Sequence, residues 1–201
     1  MVEKRAADEI PDTVLFLEHE AVVTQGRGLQ WTGTPRPRHV PLPAPLPPEI
    51  SFCESERGGD LTYHGPGQLV IYPIVKLDGR GFGPEHDITA FLRKFEGVLI
   101  STLARLDLKG SSHENAAGVW VGERKLASIG IAVKKWVSYH GMAINVVNDL
   151  KPFHLISPCG FSPEVMTRLE DLAPTWASTH GAHWRVELEK ILKEEFEKSA
   201  K

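Results

Sequence analysis

One helical stripe sits in the middle of a chain that otherwise reads as strands, and this limits the folds open to it. After Asp87, a plausible N-cap, come Ile88, Phe91, Leu92, Phe95, Val98, Leu99, Thr102, Leu103 and Leu106 at the spacing of one helix face. Strand-length runs precede it at Thr13–Leu17, Ala21–Thr24, Ile50–Glu54 and Gln68–Val75. Others follow at Gly118–Val121, Ser128–Val133 and Ser138–Val147, the last interrupted by Gly141. A second stripe, Trp184, Leu188, Ile191, Leu192 and Phe196, belongs to a final helix starting near His180-Gly181. Helices with one apolar face need a sheet to cover. The pattern predicts an α+β fold, a mixed or antiparallel sheet with helices packed on it. The 201 residues suit one domain spanning residues 1–201, and there is no internal repeat.

Composition removes several function classes. Apolar residues make up 41% and charged residues 24%, as in an ordinary globular chain. No apolar run approaches the ~20 residues of a membrane span, and Val70–Val75 contains Pro73. The opening Met1-Val-Glu-Lys-Arg has no apolar stretch behind its charges. It is therefore not a secretory signal, and a cytoplasmic location is expected. A net charge of −3 favours neither nucleic acid nor an anionic membrane. An acidic partner would need a local patch, for which Lys134-Lys135 and Arg36/Arg38 are the candidates. The segment Pro35–Pro48 reads as an extended surface loop. His64, His113, His140, His154, His180 and His183 show no metal-ligand spacing, so no metal is expected.

Three places have the residue types for chemistry. Arg57-Gly58-Gly59-Asp60-Leu61-Thr62-Tyr63-His64-Gly65-Pro66-Gly67-Gln68 contains four glycines and reads as a loop between two strands. Such glycines permit positive φ and close approach of backbone to a ligand. His64 fits either a hydrogen-bonded structural histidine or a site residue. Cys159 lies in Ser157-Pro158-Cys159-Gly160-Phe161. Pro158 has no N–H and a fixed φ, and Gly160 leaves a backbone N–H open to an oxyanion, an arrangement suited to acyl transfer. Cys53 lacks this setting and reads as a small buried hydrophobe; the two cysteines form no C-x-x-C pair and are expected as free thiols. Lys125, in Gly122-Glu-Arg-Lys125-Leu-Ala-Ser-Ile-Gly130, reads by pattern alone as a solvated turn lysine.

Four motifs occur in order: Arg57-Gly-Gly-x-x-Thr-Tyr-His-Gly-Pro-Gly-Gln-x-Val-x-Tyr-Pro73, Lys125-Leu-Ala-Ser-Ile-Gly130, His140-Gly-Met-Ala-Ile-Asn145 and Pro158-Cys-Gly160. Together, from about Val14 to the C-terminal helix, they resemble the lipoyl(octanoyl) transferase family. The resemblance implies a fold like that of biotin and lipoate protein ligases. It implies Cys159 as the thioester nucleophile and Lys125 as the partner that lowers its pKa and moves protons. Arg57, Gly58, Gly59, Asp60, Leu61, Thr62, Tyr63 and His64 would line the acyl site, with Ser128, Ile129, Gly130, Gly141, Met142 and Ala143. The implied donor is octanoyl-acyl carrier protein. The implied acceptors are lysines of the lipoyl domains of 2-oxoacid dehydrogenases and of the glycine cleavage H protein. No cofactor is implied, and the enzyme is expected to be a monomer.

Two features depart from the family. A further strand and helix usually precede the Val14 strand, and Val2-Glu-Lys-Arg reads as the end of that helix. Many members also have an arginine shortly before Gly-Val-Trp-Val, where this chain has His113-Glu-Asn-Ala-Ala117. The competing functions are an ATP-dependent lipoate or biotin ligase, a catalytically inactive carrier-binding module, and a cysteine hydrolase.

Overall fold

The computed structural model describes residues 1–28, 45–113, 116–156 and 162–200. Most of the Pro35–Pro48 segment lies outside the described residues, as do Arg36, Arg38 and Cys159.

After a short helix α1 (Val2–Ala6), where the sequence reads as the end of a helix, nine strands and four further α-helices follow among the described residues. These are β1 (Thr13–Leu17), β2 (Val22–Gln25), β3 (Ser51–Glu54), β4 (Leu61–His64) and β5 (Gln68–Ile74), then α2 (Ile88–Ala104). Next come β6 (Gly110–His113), β7 (Ala116–Val121), β8 (Arg124–Lys134) and β9 (Val137–Asn145). The chain then continues through α3 (Leu169–Leu172), α4 (Pro174–His180) and α5 (Trp184–Ser199).

The strands form two sheets. Six lie in the order β1-β5-β9-β8-β7-β6, antiparallel throughout. Three lie in the order β3-β2-β4, with β2 parallel to β3 and antiparallel to β4. The expected α+β class holds. The long helix stripe is buried as its spacing requires, with Phe91, Phe95, Val98, Leu99 and Leu103 in the core and the Asp87 carboxylate accepting from the Ala90 N–H at 2.8 Å. Ile88 is the exception and is exposed. The final helix begins at Trp184, and α4 is separate from it. Trp184, Leu188, Leu192 and Phe196 of α5 share the main core with Leu69, Ile71 and Ile144 of the large sheet.

The small sheet has its own core of Val23, Ile50, Leu61, Tyr63, Phe153, Ile156 and Met166. Strand β4 lies inside what the sequence presents as a loop. Leu61 and Tyr63 turn into this core, which leaves Thr62 and His64 on the opposite face, as strand alternation demands. Cys53 is a correction: β3 is exposed along its length, and Cys53 is not a buried hydrophobe.

Candidate active site

A cavity of about 610 Å³ is lined by residues of both sheets. Its size is within the ~300–1,000 Å³ usual for small-molecule sites. From the large sheet come Val70, Tyr72, Ser128, Ile129, Gly130, His140, Gly141, Met142 and Ala143. From the small sheet and its loops come Val22, Thr24, Cys53, Glu54, Ser55, Glu56, Arg57, Thr62 and His64, and His19 also lines it. Cross-strand neighbours Val70, Ala143 and Ser128 lie side by side, so one row of small side chains contributes to the wall.

The Gly-rich segment is held against this wall by backbone bonds. Gly58 N–H donates to Ile131 O at 2.9 Å. A Cβ at Gly130 would stand 2.7 Å from Gly58 O, so only glycine allows that approach. Arg57 is buried and its guanidinium binds the fold itself. It donates to Thr24 Oγ1 at 3.0 and 2.8 Å, to Thr24 O and Asp60 O at 2.7 Å each, and to Gly58 O at 2.9 Å.

The structure thus divides the expected acyl-site residues. Arg57, Thr62, His64, Ser128, Ile129, Gly130, Gly141, Met142 and Ala143 line the cavity. Gly58 and Asp60 supply carbonyls to Arg57, and Gly59 has φ +80° in the connecting turn. Leu61 and Tyr63 are in the small core. His19, Tyr72, Glu54 and Glu56 also line the cavity, and isolated histidines and carboxylates show no pattern in sequence that separates them from surface residues.

The polar part of the cavity is a group of rings. His19 Nε2 and the Tyr72 hydroxyl are 2.8 Å apart. The His19 and His64 ring centroids lie 5.5 Å apart, and those of Tyr72 and His140 lie 5.9 Å apart. Burial disfavours charge here. It lowers the pKa values of His19 and His140, and it raises that of Tyr72. His64 goes furthest, from 6.5 to about 4, chiefly by desolvation, against the upward pull of its hydrogen bond to Gln68 and with the Arg57 charge adding to the fall. At neutral pH it is an uncharged imidazole.

That shift predicts an acid limb of stability. Between pH 6.5 and about 4 the unfolded chain protonates this histidine and the folded one does not. Unfolding therefore takes up a proton, and stability falls as pH drops through this window. The full loss, roughly 3 kcal/mol, is reached below the folded value. Urea melts of His64→Gln across pH 7 to 4 should lack this component. Equal slopes for variant and wild type would contradict a neutral buried His64.

Lys125 is not a turn lysine. The β7–β8 hairpin turns on Gly122 and Glu123 alone, so Lys125 is already in strand β8 and is 3% exposed. Its Nζ lies 5.7 Å from the centre of the Trp120 ring. Gly118 of β7, which pairs with Ser128, has φ +141°, and a Cβ there would stand 2.2 Å from Ala127 O and 2.9 Å from Lys125 Cε. The backbone of Lys125 also holds the chain that follows the Pro158-Cys159-Gly160 motif. Its carbonyl accepts from Thr167 N–H at 3.0 Å, and Met166 bridges to it in parallel.

This fold is that of the lipoate-protein ligases. The structure of a lipoate-protein ligase A bound with ATP superimposes with TM-score 0.69 at 16% identity, covering 98% of this chain and 78% of that one. The model of the lipoyl protein ligase A/B catalytic domain matches residues 1–186. An octanoyltransferase of Pectobacterium atrosepticum is 39% identical over 170 residues, 85% of this chain and 69% of that protein. An octanoyltransferase of Geobacter metallireducens is 42% identical over 155 residues, 77% of this chain and 66% of that protein. The chain belongs to the lipoyl protein ligase A/B catalytic domain family and, within it, to the octanoyltransferases.

Proposed function

We propose that this protein is an octanoyltransferase of lipoate biosynthesis. It takes an octanoyl group from acyl carrier protein as a thioester on Cys159 and passes it to a lysine of a lipoyl domain or of the glycine cleavage H protein. The observation that carries this reading is Lys125, a lysine buried within β8 whose backbone is bonded to the segment following Cys159.

In the first half-reaction the Cys159 thiolate attacks the donor thioester carbon. A C–S bond forms, the carrier's C–S bond breaks, and the carrier thiolate leaves with a proton. An ordinary thiol is only ~3% thiolate at pH 7, so a neighbouring ammonium from Lys125 raises the reactive fraction. One thioester replaces another, and the step is close to neutral in free energy. In the second half-reaction a lysine amine attacks the same carbon. The C–N bond forms, the Cys159 C–S bond breaks, and the sulfur is reprotonated. The acceptor arrives as an ammonium of pKa ~10.4, so one proton must go to a base before attack and a second leaves the nitrogen afterwards. Lys125 in its neutral form, next to a cysteine neutralised as a thioester, takes the first. A cytoplasmic location goes with this substrate pair, and no helix among the described residues is long and apolar enough to cross a membrane.

Incubation with octanoyl-carrier protein, without ATP, tests the reading by intact mass. A hydroxylamine-labile octanoyl adduct that is discharged by a lipoyl domain supports it. A requirement for ATP would make the protein a ligase, release of free octanoate a hydrolase, and no adduct a binding module.

The cavity also predicts a chain-length profile. Each buried CH₂ contributes ~0.8 kcal/mol, so shortening eight carbons to six costs ~1.6 kcal/mol, roughly 15-fold. Lengthening beyond the wall costs more per step, because extra methylenes overpack it. Transfer rates with six-, eight-, ten- and twelve-carbon donors should fall gently below eight and steeply above. Ala143→Leu, on the row of small wall residues, should move the optimum to shorter chains; a profile that rises through twelve carbons would mean an open groove. Gly59 is not suited to this test, since a side chain there meets a φ of +80°.

A further inference from the structure

A chain of buried amides determines which nitrogen of His64 carries the hydrogen. It starts at the Thr167 carbonyl, which can only accept. The Asn145 atom bonded to it at 3.0 Å is therefore Nδ2. Asn145 Oδ1 then accepts from Gln68 Nε2 at 2.9 Å and from Asn148 Nδ2 at 3.2 Å. A second backbone carbonyl, Tyr63 O, accepts from the same Gln68 Nε2 at 3.3 Å, so two independent anchors orient this amide. Gln68 Oε1 is left facing His64 Nδ1 at 2.8 Å. An amide oxygen only accepts, so Nδ1 bears the hydrogen. In a neutral imidazole Nε2 then has the lone pair. Nε2 has no hydrogen-bond partner among the described residues, and His64, 8% exposed, lines the cavity. The lone pair is therefore open to whatever donor enters the cavity.

An acyl chain has no hydrogen to donate, and a thioester carbonyl is itself an acceptor. The attacking amine is a donor. The rest of the cavity suits a lysine side chain. Glu54 and Glu56 are on its lining, the Glu56 carboxylate accepting from Arg27 at 2.6 Å and from Tyr139 at 2.9 Å, and burial lowers the pKa values of His19 and His140, which disfavours positive charge there. Among the described residues the one arginine on the lining, Arg57, is bonded to Thr24 and loop carbonyls.

We propose that His64, fixed as the Nδ1–H tautomer by Gln68 and Asn145, accepts a hydrogen bond at Nε2 from the incoming lysine amine and aims its lone pair at the acyl carbon. The hydrogen so held is the one that remains on the amide product. His64 thus orients the nucleophile and removes no proton. Gln68 and Asn145 are positioning residues acting through it. The proposal rests on the acyl-enzyme reading above.

Single-turnover mass measurements separate the two half-reactions. His64→Leu should slow discharge of octanoyl-enzyme to a lipoyl domain by roughly 10- to 30-fold, the loss expected for one positioned hydrogen bond. Loading from octanoyl-carrier protein should fall by a smaller factor than discharge. His64→Gln, whose amide oxygen can stand in for Nε2, should recover part of the discharge rate. Gln68→Leu should slow discharge in the same direction. Nitrogen NMR of the histidine rings in wild-type protein should show His64 as the Nδ1–H form, a measurement that needs no variant to fold. An Nε2–H tautomer, unchanged discharge in His64→Leu, or equal loss in both half-reactions overturns the proposal. If wild-type enzyme never forms an adduct, the acyl-enzyme reading fails and the proposal fails with it. A normal wild-type adduct with unaffected discharge in His64→Leu defeats the proposal alone.

Discussion

Cys159→Ala should abolish both formation of the octanoyl adduct and transfer to a lipoyl domain, while Cys53→Ala still forms the adduct. The expectation comes from chemistry. Without a thiol at position 159 the acyl group has no covalent resting place, and direct attack of a lysine on the carrier thioester would need both macromolecules at one site. Cys53 makes the contrast informative, because it is an exposed thiol on the cavity lining and is the other cysteine of the chain. Peptide mapping of the trapped adduct places the acyl group on one or the other. A hydroxylamine-labile octanoyl group persisting in Cys159→Ala would move the nucleophile to Cys53 or elsewhere.

Some of this architecture is legible in sequence and some is not, for physical reasons. The stripe from Phe91 to Leu103 is readable because a helix packed on a sheet must repeat its apolar residues along one face. The large sheet's central strands are readable as apolar runs. Strand β4 is not, because Leu61-Thr62-Tyr63-His64 is only one and a half alternations long and sits among glycines that dominate the reading. With it went the division between Leu61 and Tyr63, which face a core, and Thr62 and His64, which face the cavity. The burial of Lys125 was hidden for a related reason. Gly122-Glu123-Arg124 looks like a long turn, yet the hairpin closes on two residues and the next side chain but one is already inside. The cavity brings together His19, His64, Tyr72 and His140 from separate elements, and no local pattern announces such a meeting. The four sequence motifs point to a site by resemblance, and residues of three of them line the cavity. The hydrogen-bonded chain from Asn145 through Gln68 to His64 emerges only from which atoms touch.

Lys125→Met should slow both half-reactions. Methionine has similar length and no charge, so it fits the strand position where Lys125 is 3% exposed beside Trp120. Thermal unfolding of the variant checks that it is folded, so that lost activity is not lost structure. Activity should fall by at least ~100-fold, the usual contribution of a positioned acid–base group. The two half-reactions report different parts of that fall. Alkylation of Cys159 against pH should move to higher pH, because no ammonium favours the thiolate. Discharge of preformed octanoyl-enzyme should slow as well, because the acceptor ammonium loses its base. Raising the pH should recover part of the discharge rate by deprotonating the acceptor in solution, with the rate still climbing where wild type has levelled off. An alkylation profile identical to that of wild type would show that the Lys125 ammonium does not act on Cys159, and the two-residue mechanism would have to be abandoned.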